Sequence, residues 1–245
     1  MNLQTVSITG VDPSIPLGAL LALSREFPFV EWGVLLSQAA GAHPKYPDHE
    51  WVASLCHFAR ANGMAVSGHV CGAWTQQLLS GEWPPAMRRF SFGRLQINIA
   101  KVSTESLQPE RWMHLLPAAS EVIVQFNHRK PRFDPVALVD ELERAGHAAS
   151  VLMDASGGRG IESAGWPAPP TVGKVGYAGG LKPENIREQL EQIATATAGC
   201  DQTIWVDMES GVRTCDGLLM DLDRVRQCLA KAAAYVQSPF SSGLV

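Results

Sequence analysis

The sequence of 245 residues lacks the features that mark several classes of protein. It has no overall basic character of the kind that binds nucleic acid, since its formal net charge is −4. No apolar run approaches the length of a membrane span. The opening MNLQTVSITG has neither the basic region nor the apolar region of a signal peptide. Its five cysteines form no CxxC pair, which predicts reduced thiols. We therefore expect a cytoplasmic protein that binds neither nucleic acid nor membranes.

Short apolar runs alternate with helical patterns along the chain. Eight runs are predicted strands, at residues 4–9, 29–36, 64–71, 94–100, 121–127, 148–154, 173–178 and 202–208. Six stretches are predicted helices, at residues 15–26, 48–62, 107–117, 134–145, 183–195 and 218–236. Strands that alternate with helices predict a parallel sheet of βαβ units. Eight such units predict an α/β fold, a single (β/α)8 TIM barrel over residues 1–245; the alternative is an open doubly wound sheet.

Side-chain alternation along these strands predicts which residues face the barrel axis. Successive residues point to opposite faces, and the apolar set of each strand suits the helix layer. The polar inward set is Thr5, Ser7, Thr9, His69, Cys71, Gln96, Asn98, Gln125, Asn127, Asp154, Asp207 and Glu209. Most of these residues lie near C-terminal strand ends, where barrel active sites lie. Gln96 and Gln125 suit a structural role equally well, but burying Asp154, Asp207 and Glu209 without a function is costly.

Three glycine-bearing segments follow the last three predicted strands: MDASGGRGI at 153–161, GYAGGLKPENI at 176–186 and VDMESGVRT at 206–214. Each alone is also typical of an ordinary turn. Backbone N–H groups of such turns and of helix N-termini bind phosphate, and barrels often place this site after strands seven and eight. The predicted phosphate-binding residues are Gly157, Gly158, Gly160, Gly179, Gly180, Ser210 and Gly211. Arg159, within the first segment, is a further candidate to contact phosphate or carboxylate.

These segments resemble those of the phosphoribosylanthranilate isomerase family, the (β/α)8 enzymes of tryptophan synthesis. VLMDASGGRG and Trp166 resemble the family's LLD segment, GGTG loop and following Trp. AGGLKPENI resembles AGGL-x-PENV, DMESGVRT resembles D-x-SSGVE, and LQINI loosely resembles the VQLHG-like fourth strand. The resemblance covers the whole chain in architecture and is specific over about the last 100 residues. It implies conversion of an aminoaldose into an aminoketose by one general acid and one general base.

The resemblance also implies roles for single residues. Asp154 matches the family's general acid, and Asp207 matches an aspartate that contacts the substrate. Thr9 stands at the position of the cysteine that acts as base, and a hydroxyl, unlike a thiol, needs its own activating base. Lys45 lies near the position of an arginine that holds the anthranilate carboxylate, and lysine lacks the bidentate fork. Glu209 replaces a serine.

The identity of the base stays open among Glu209, Asp207, Cys71 and His69, although a structural role is an alternative for Cys71 and His69. We expect Asp154, Glu209 and Thr9 at the catalytic positions. The expected substrate-binding residues are Lys45, His69, Cys71, Asn98, Gln125, Arg159 and Asp207. No HxH, HExxH or CxxC spacing indicates a metal, and no cofactor is expected.

The function predicted from these residues is aldose–ketose type isomerisation of a phosphorylated sugar or ribonucleotide-like substrate, by a monomer or homodimer. Two alternatives remain. A non-catalytic barrel could bind or sequester a phosphorylated metabolite, which Thr9 favours, or an interaction protein could retain a vestigial site, which the glycine turns disfavour. The basic and aromatic stretch at 83–94 is better explained as a connector than as a nucleic-acid patch.

Overall fold

A computed structural model describes residues 1–99, 102, 108–112, 119–127, 129–130, 132–154, 162–163 and 165–237. Eight parallel strands form a closed barrel in the order of the sequence. They are β1 Asn2–Thr9, β2 Val30–Leu36, β3 Ala65–Val70, β4 Phe92–Ile97, β5 Ala119–Phe126, β6 Ala148–Asp154, β7 Lys174–Ala178 and β8 Thr203–Met208. β8 pairs with β1, with Ser7 beside Asp207, and this pairing closes the ring. The predicted barrel is therefore confirmed, and the open doubly wound sheet is wrong.

Helices surround the strands. They are α1 Leu17–Glu26, α2 His49–Asn62, α3 Ala73–Leu79, α4 Pro109–Trp112, α5 Pro135–Arg144, α6 Ile186–Ala196 and α7 Leu222–Ala232. The side chains of Asp48, Asp134 and Asp221 cap α2, α5 and α7 by accepting from backbone N–H groups of the first turn. α3 was not predicted, and the predicted helix at 107–117 lies partly outside the described residues. Within the described part of the chain, no helix is long and apolar enough to cross a membrane.

The residues of the strands divide between two cores. One face of each strand joins the helices in a large apolar core that contains Val6, Val124 and Val206. A smaller cluster within the barrel contains Ile123, Leu152, Ala178 and Trp205. The two clusters use alternate residues of the same strands, as the period of two requires.

The N-terminal half of the barrel interior is filled by ion pairs. The Arg94 guanidinium donates to both carboxylate oxygens of Glu31 at 2.7 Å and lies 3.6 Å from Glu121. It also lies over the Trp205 ring, 4.6 Å from its centroid. Burial alone would raise the pKa of Glu31, but the hydrogen bonds and charge of Arg94 hold that pKa below its usual value. This network occupies the interior at the N-terminal end of the barrel.

Candidate active site

A cavity of about 630 Å³ opens at the C-terminal ends of the strands. The structure places in its lining most site residues predicted from the sequence: Thr9, Lys45, His69, Cys71, Asn98, Gln125, Asp154, Gly179, Gly180, Asp207, Glu209 and Ser210. Gln96 and Arg213 line it as well. Four further predicted residues lie outside the described part of the chain: Gly157, Gly158, Arg159 and Gly160. All described residues of the predicted site except Gly211 thus line one cavity at one face of the barrel.

Thr9 connects two side chains at the centre of the cavity. Its hydroxyl donates to Asp207 Oδ1 at 2.6 Å, and its oxygen lies 3.4 Å from His69 Nε2. Ser67 Oγ lies 3.1 Å from the same ring nitrogen. A side chain at Gly33 would prevent this arrangement, because its Cβ would lie 2.4 Å from Thr9 Oγ1 and 2.9 Å from His69 Nε2. The bare backbone of β2 therefore lets side chains of β1 and β3 meet.

The Asp207 carboxyl can exchange a proton near neutral pH. Burial raises its pKa to about 7, against the hydrogen bond from Thr9, and the charges of Glu209 and Asp154 add to the rise. A general acid or base works best with a pKa near the working pH. Asp207 therefore has the properties of a proton-transfer group, and Thr9 stabilises its ionised form.

Asp154 lies on the same side of the cavity as Asp207. Asp154, Ala178 and Asp207 are neighbours in register across β6, β7 and β8, so their side chains all point inward. Two strand spacings put the Cα atoms of the two aspartates roughly 10 Å apart. Gln125 Nε2 donates to Asp154 Oδ2 at 2.6 Å, which orients that carboxylate. The small side chain of Ala178 leaves the space between the two carboxyl groups free of bulk.

Two of the other three candidate bases, Cys71 and His69, are poorly suited to proton abstraction. Burial raises the pKa of Cys71 to about 12, so its thiol stays protonated at neutral pH. Burial lowers the pKa of His69 to about 4, although the charge of Glu31 opposes the fall, so its imidazole is neutral and weakly basic. Cys71 therefore does not replace the thiolate that Thr9 lacks.

The two residues that depart from the family pattern near the rim contact each other. Lys45 Nζ lies 3.8 Å from Glu209 Oε1, with about a third of each side chain exposed. The same Nζ lies 5.1 Å from the centroid of the Tyr46 ring. The lysine charge is therefore offset by a carboxylate where the resemblance implied a free cation for the substrate.

Three glycines shape the loops that follow β7 and β8. Gly179 and Gly180 have φ angles of 147° and 66°, which favour glycine. The Asn185 side chain accepts from the Lys182 N–H and donates to the Gly180 carbonyl, and so holds this turn at the start of α6. Gly211, in the loop after β8, contacts the loop after β7.

A Cβ at Gly211 would lie 1.9 Å from the Leu181 carbonyl oxygen. Gly211 therefore allows the loop after β8 to touch the loop after β7. The close contact brings the backbones of two of the three predicted phosphate-binding segments, those after β7 and β8, to the same side of the cavity.

Arg213 lines the cavity but was missed by the sequence reasoning. Its side chain is 4% exposed, and it donates to the carbonyls of Gly10 and Leu218, both at 3.0 Å. Its Nη1 lies 4.0 Å from the buried Asp12 carboxylate. Arg213 thus joins the loop after β1 to the loop after β8. The sequence could have indicated this residue, because Arg213 in DMESGVRT stands where the matching family segment has a glutamate.

Among the described residues, no three side chains of His, Cys, Asp or Glu are arranged to hold a metal ion.

Comparison with solved structures identifies other proteins with this fold. A truncated 3-deoxy-D-arabino-heptulosonate 7-phosphate synthase from Thermotoga maritima is 9% identical, with a TM-score of 0.55 over 96% of this chain and 87% of that one. A D-psicose 3-epimerase, solved in the presence of D-fructose, is 12% identical, with a TM-score of 0.52 over 96% and 98%. At these identities the similarity shows the fold alone.

Comparison with sequences is more specific. No curated protein matches the chain. The family described as N-(5'phosphoribosyl)anthranilate (PRA) isomerase matches residues 104–231, which is more than half of the chain. This range includes the ends of β5 to β8, with Asp154, Asp207 and the glycine turns after β7 and β8. The chain therefore belongs to the phosphoribosylanthranilate isomerase family.

Proposed function

We propose that the barrel isomerises a phosphorylated sugar or ribonucleotide-like substrate by acid/base chemistry of the aldose–ketose type. The observation that carries the proposal is the pair of buried carboxyl groups, Asp154 and Asp207, which point inward on either side of Ala178. Such a reaction moves a proton from C2 to C1 of the opened sugar and needs an acid and a base at the substrate.

Asp154 acts in this proposal as the acid that protonates the ring oxygen when the ring opens. Asp207 acts as the base that removes the C2 proton, because its pKa of about 7 suits that step. Thr9 favours the ionised form of Asp207 by donating to it. Glu209 was a predicted catalytic residue, and its role here is to raise the pKa of Asp207 by charge repulsion.

The phosphate is anchored, in this proposal, by the loops after β7 and β8. Support comes from the left-handed backbone at Gly180 and from the contact between Gly211 and Leu181, which brings the two loops together. Backbone N–H groups of such turns bind phosphate without a cationic side chain. All five cysteines are free thiols, which supports a reducing compartment such as the cytoplasm.

Exchange of hydrogen with solvent tests the reaction. The protein is incubated in D2O with five- and six-carbon aldose phosphates and with N-(5'-phosphoribosyl)anthranilate, and deuterium in the product is measured by NMR. We expect label at the carbon that receives the proton, and at least a hundredfold slower exchange in Asp154→Asn and Asp207→Asn, in line with the usual contribution of an acid or base. Asp140→Asn, on the exposed face of α5, is the matched control.

A non-catalytic barrel that binds or sequesters a phosphorylated metabolite is the second candidate. Thr9 favours it, because the hydroxyl supplies no thiolate base. In that case aldose phosphates raise the melting temperature of the protein without any exchange. Exchange that persists at the wild-type rate in Asp207→Asn contradicts the assignment of the base.

A further inference from the structure

Two buried glutamine side chains in the cavity have acceptor oxygens that are not used. Gln96 on β4 and Gln125 on β5 line the cavity and are only 6% and 5% exposed. Within the described part of the chain, Oε1 of each is buried and has no hydrogen-bond partner. Leaving a buried acceptor unsatisfied costs free energy. Two such atoms in one cavity indicate that a bound molecule supplies the donors.

The orientation of the Gln125 amide supports this interpretation. Its Nε2 donates to Asp154 Oδ2 at 2.6 Å, so its Oε1 is the atom left over as an acceptor. The hydroxyl donor of Thr9, in the same lining, is already used, because it donates to Asp207. Among the buried side-chain atoms of the described lining, these two acceptors on β4 and β5 outnumber the one donor without a partner, Arg213 Nε in the loop after β8.

The charged side chains in the described lining also favour a ligand that supplies hydrogen-bond donors. Lys45 lies beside Glu209, and Arg213 donates to two backbone carbonyls. Asp207 faces other carboxylates, and their repulsion helps to hold its proton. A ligand with a second anionic group, such as an aromatic carboxylate, would add to the excess of acceptors.

We propose that the ligand carries a basic aliphatic amino group away from its phosphate, bound as ammonium by the amide oxygens of Gln96 and Gln125. An ammonium has three donors and no acceptor, whereas a hydroxyl brings one donor and further acceptors. Its positive charge also offsets the carboxylates. This inference rests on the proposed function, because the phosphate anchor determines which end of the ligand reaches these side chains.

Binding of a matched ligand pair tests the inference. D-glucosamine 6-phosphate and D-glucose 6-phosphate differ only at C2, where the first has an amino group and the second a hydroxyl. Their dissociation constants are measured by calorimetry at pH 7. We expect the amino compound to bind at least tenfold more tightly. Gln96→Met and Gln125→Met should each reduce this preference roughly tenfold, the usual effect of losing a hydrogen bond to a charged group.

Gln192→Met, on the exposed face of α6, is the matched control and should keep the full preference. Equal affinity of the wild-type protein for both compounds overturns the amine inference and leaves the phosphate proposal standing. If neither compound nor inorganic phosphate binds, both proposals fail. Binding of MgCl2 that blocks the amino compound and is lost in Gln125→Met would assign the acceptors to a metal ion instead.

Discussion

Replacing Asp207 by asparagine should remove a pH dependence of stability. Burial raises the pKa of this carboxyl from its usual value of 3.8 to about 7 in the folded protein. Because the folded state holds the proton more tightly than the unfolded state, protonation stabilises the fold fully below about pH 4. That stabilisation is lost as the pH rises through 7.

At pH 5 the folded carboxyl keeps its proton two pH units below its pKa, which corresponds to about 3 kcal/mol. At pH 8 almost none of this stabilisation remains. Asparagine does not titrate, and its amide oxygen can still accept from Thr9. We therefore expect the stability of Asp207→Asn, relative to wild type, to rise by roughly 2–3 kcal/mol between pH 5 and pH 8.

Urea denaturation at pH 5, 6, 7 and 8, followed by tryptophan fluorescence, measures this difference. Asp140→Asn, on the exposed face of α5, controls for loss of a negative charge and should give a profile parallel to wild type. If Asp207→Asn is also parallel to wild type over this range, the carboxyl is not held in a buried site against neighbouring carboxylates. The role of Asp207 as a base near neutral pH would then lose its physical support.

Three further predictions concern the loops and the cysteines. Gly211→Ala should reduce the free energy of unfolding by about 1–3 kcal/mol, because its Cβ would collide with the Leu181 carbonyl; an unchanged urea midpoint would show that the two loops are not in contact. Arg213→Met should cost roughly 2 kcal/mol or more in the same assay, since two carbonyls lose their donors, and a loss near zero would contradict the bridging role. Iodoacetamide at pH 8 should modify the exposed Cys215 at least about a hundredfold faster than Cys71, and equal rates by peptide mass spectrometry would mean that Cys71 can form a thiolate.

The strands and the face of each were predictable from the period of two. All eight predicted strands are present, and each end lies within three residues of its predicted position. Apolar residues at alternate positions leave Thr9, His69 and Asp154 on the other face, and the structure places all three in one cavity. The same rule applied to FVEWGVLL would also have placed Glu31 inside the barrel, although the sequence does not show that Arg94 is its partner.

Contacts between segments that are distant in the chain could not be predicted from the sequence. Thr9 and Asp207 are 198 positions apart and meet only through the pairing of β1 with β8. Glycine is needed at position 33 because the side chains of Thr9 and His69, from the two neighbouring strands, occupy the space of a Cβ atom. α3 has only seven residues, too few for a clear helical period.

The position of Thr9 and Asp207 on the first and last strands has a consequence for how the site is made. During synthesis β8 is the last of the eight strands to leave the ribosome, and until it pairs with β1 neither residue has its partner. The hydrogen bond between Thr9 and Asp207 therefore forms only when the ring closes. Because the pKa of Asp207 is raised only in the closed barrel, its titration near pH 7 measures barrel closure. This measurement is useful in refolding experiments in which the helix content recovers earlier.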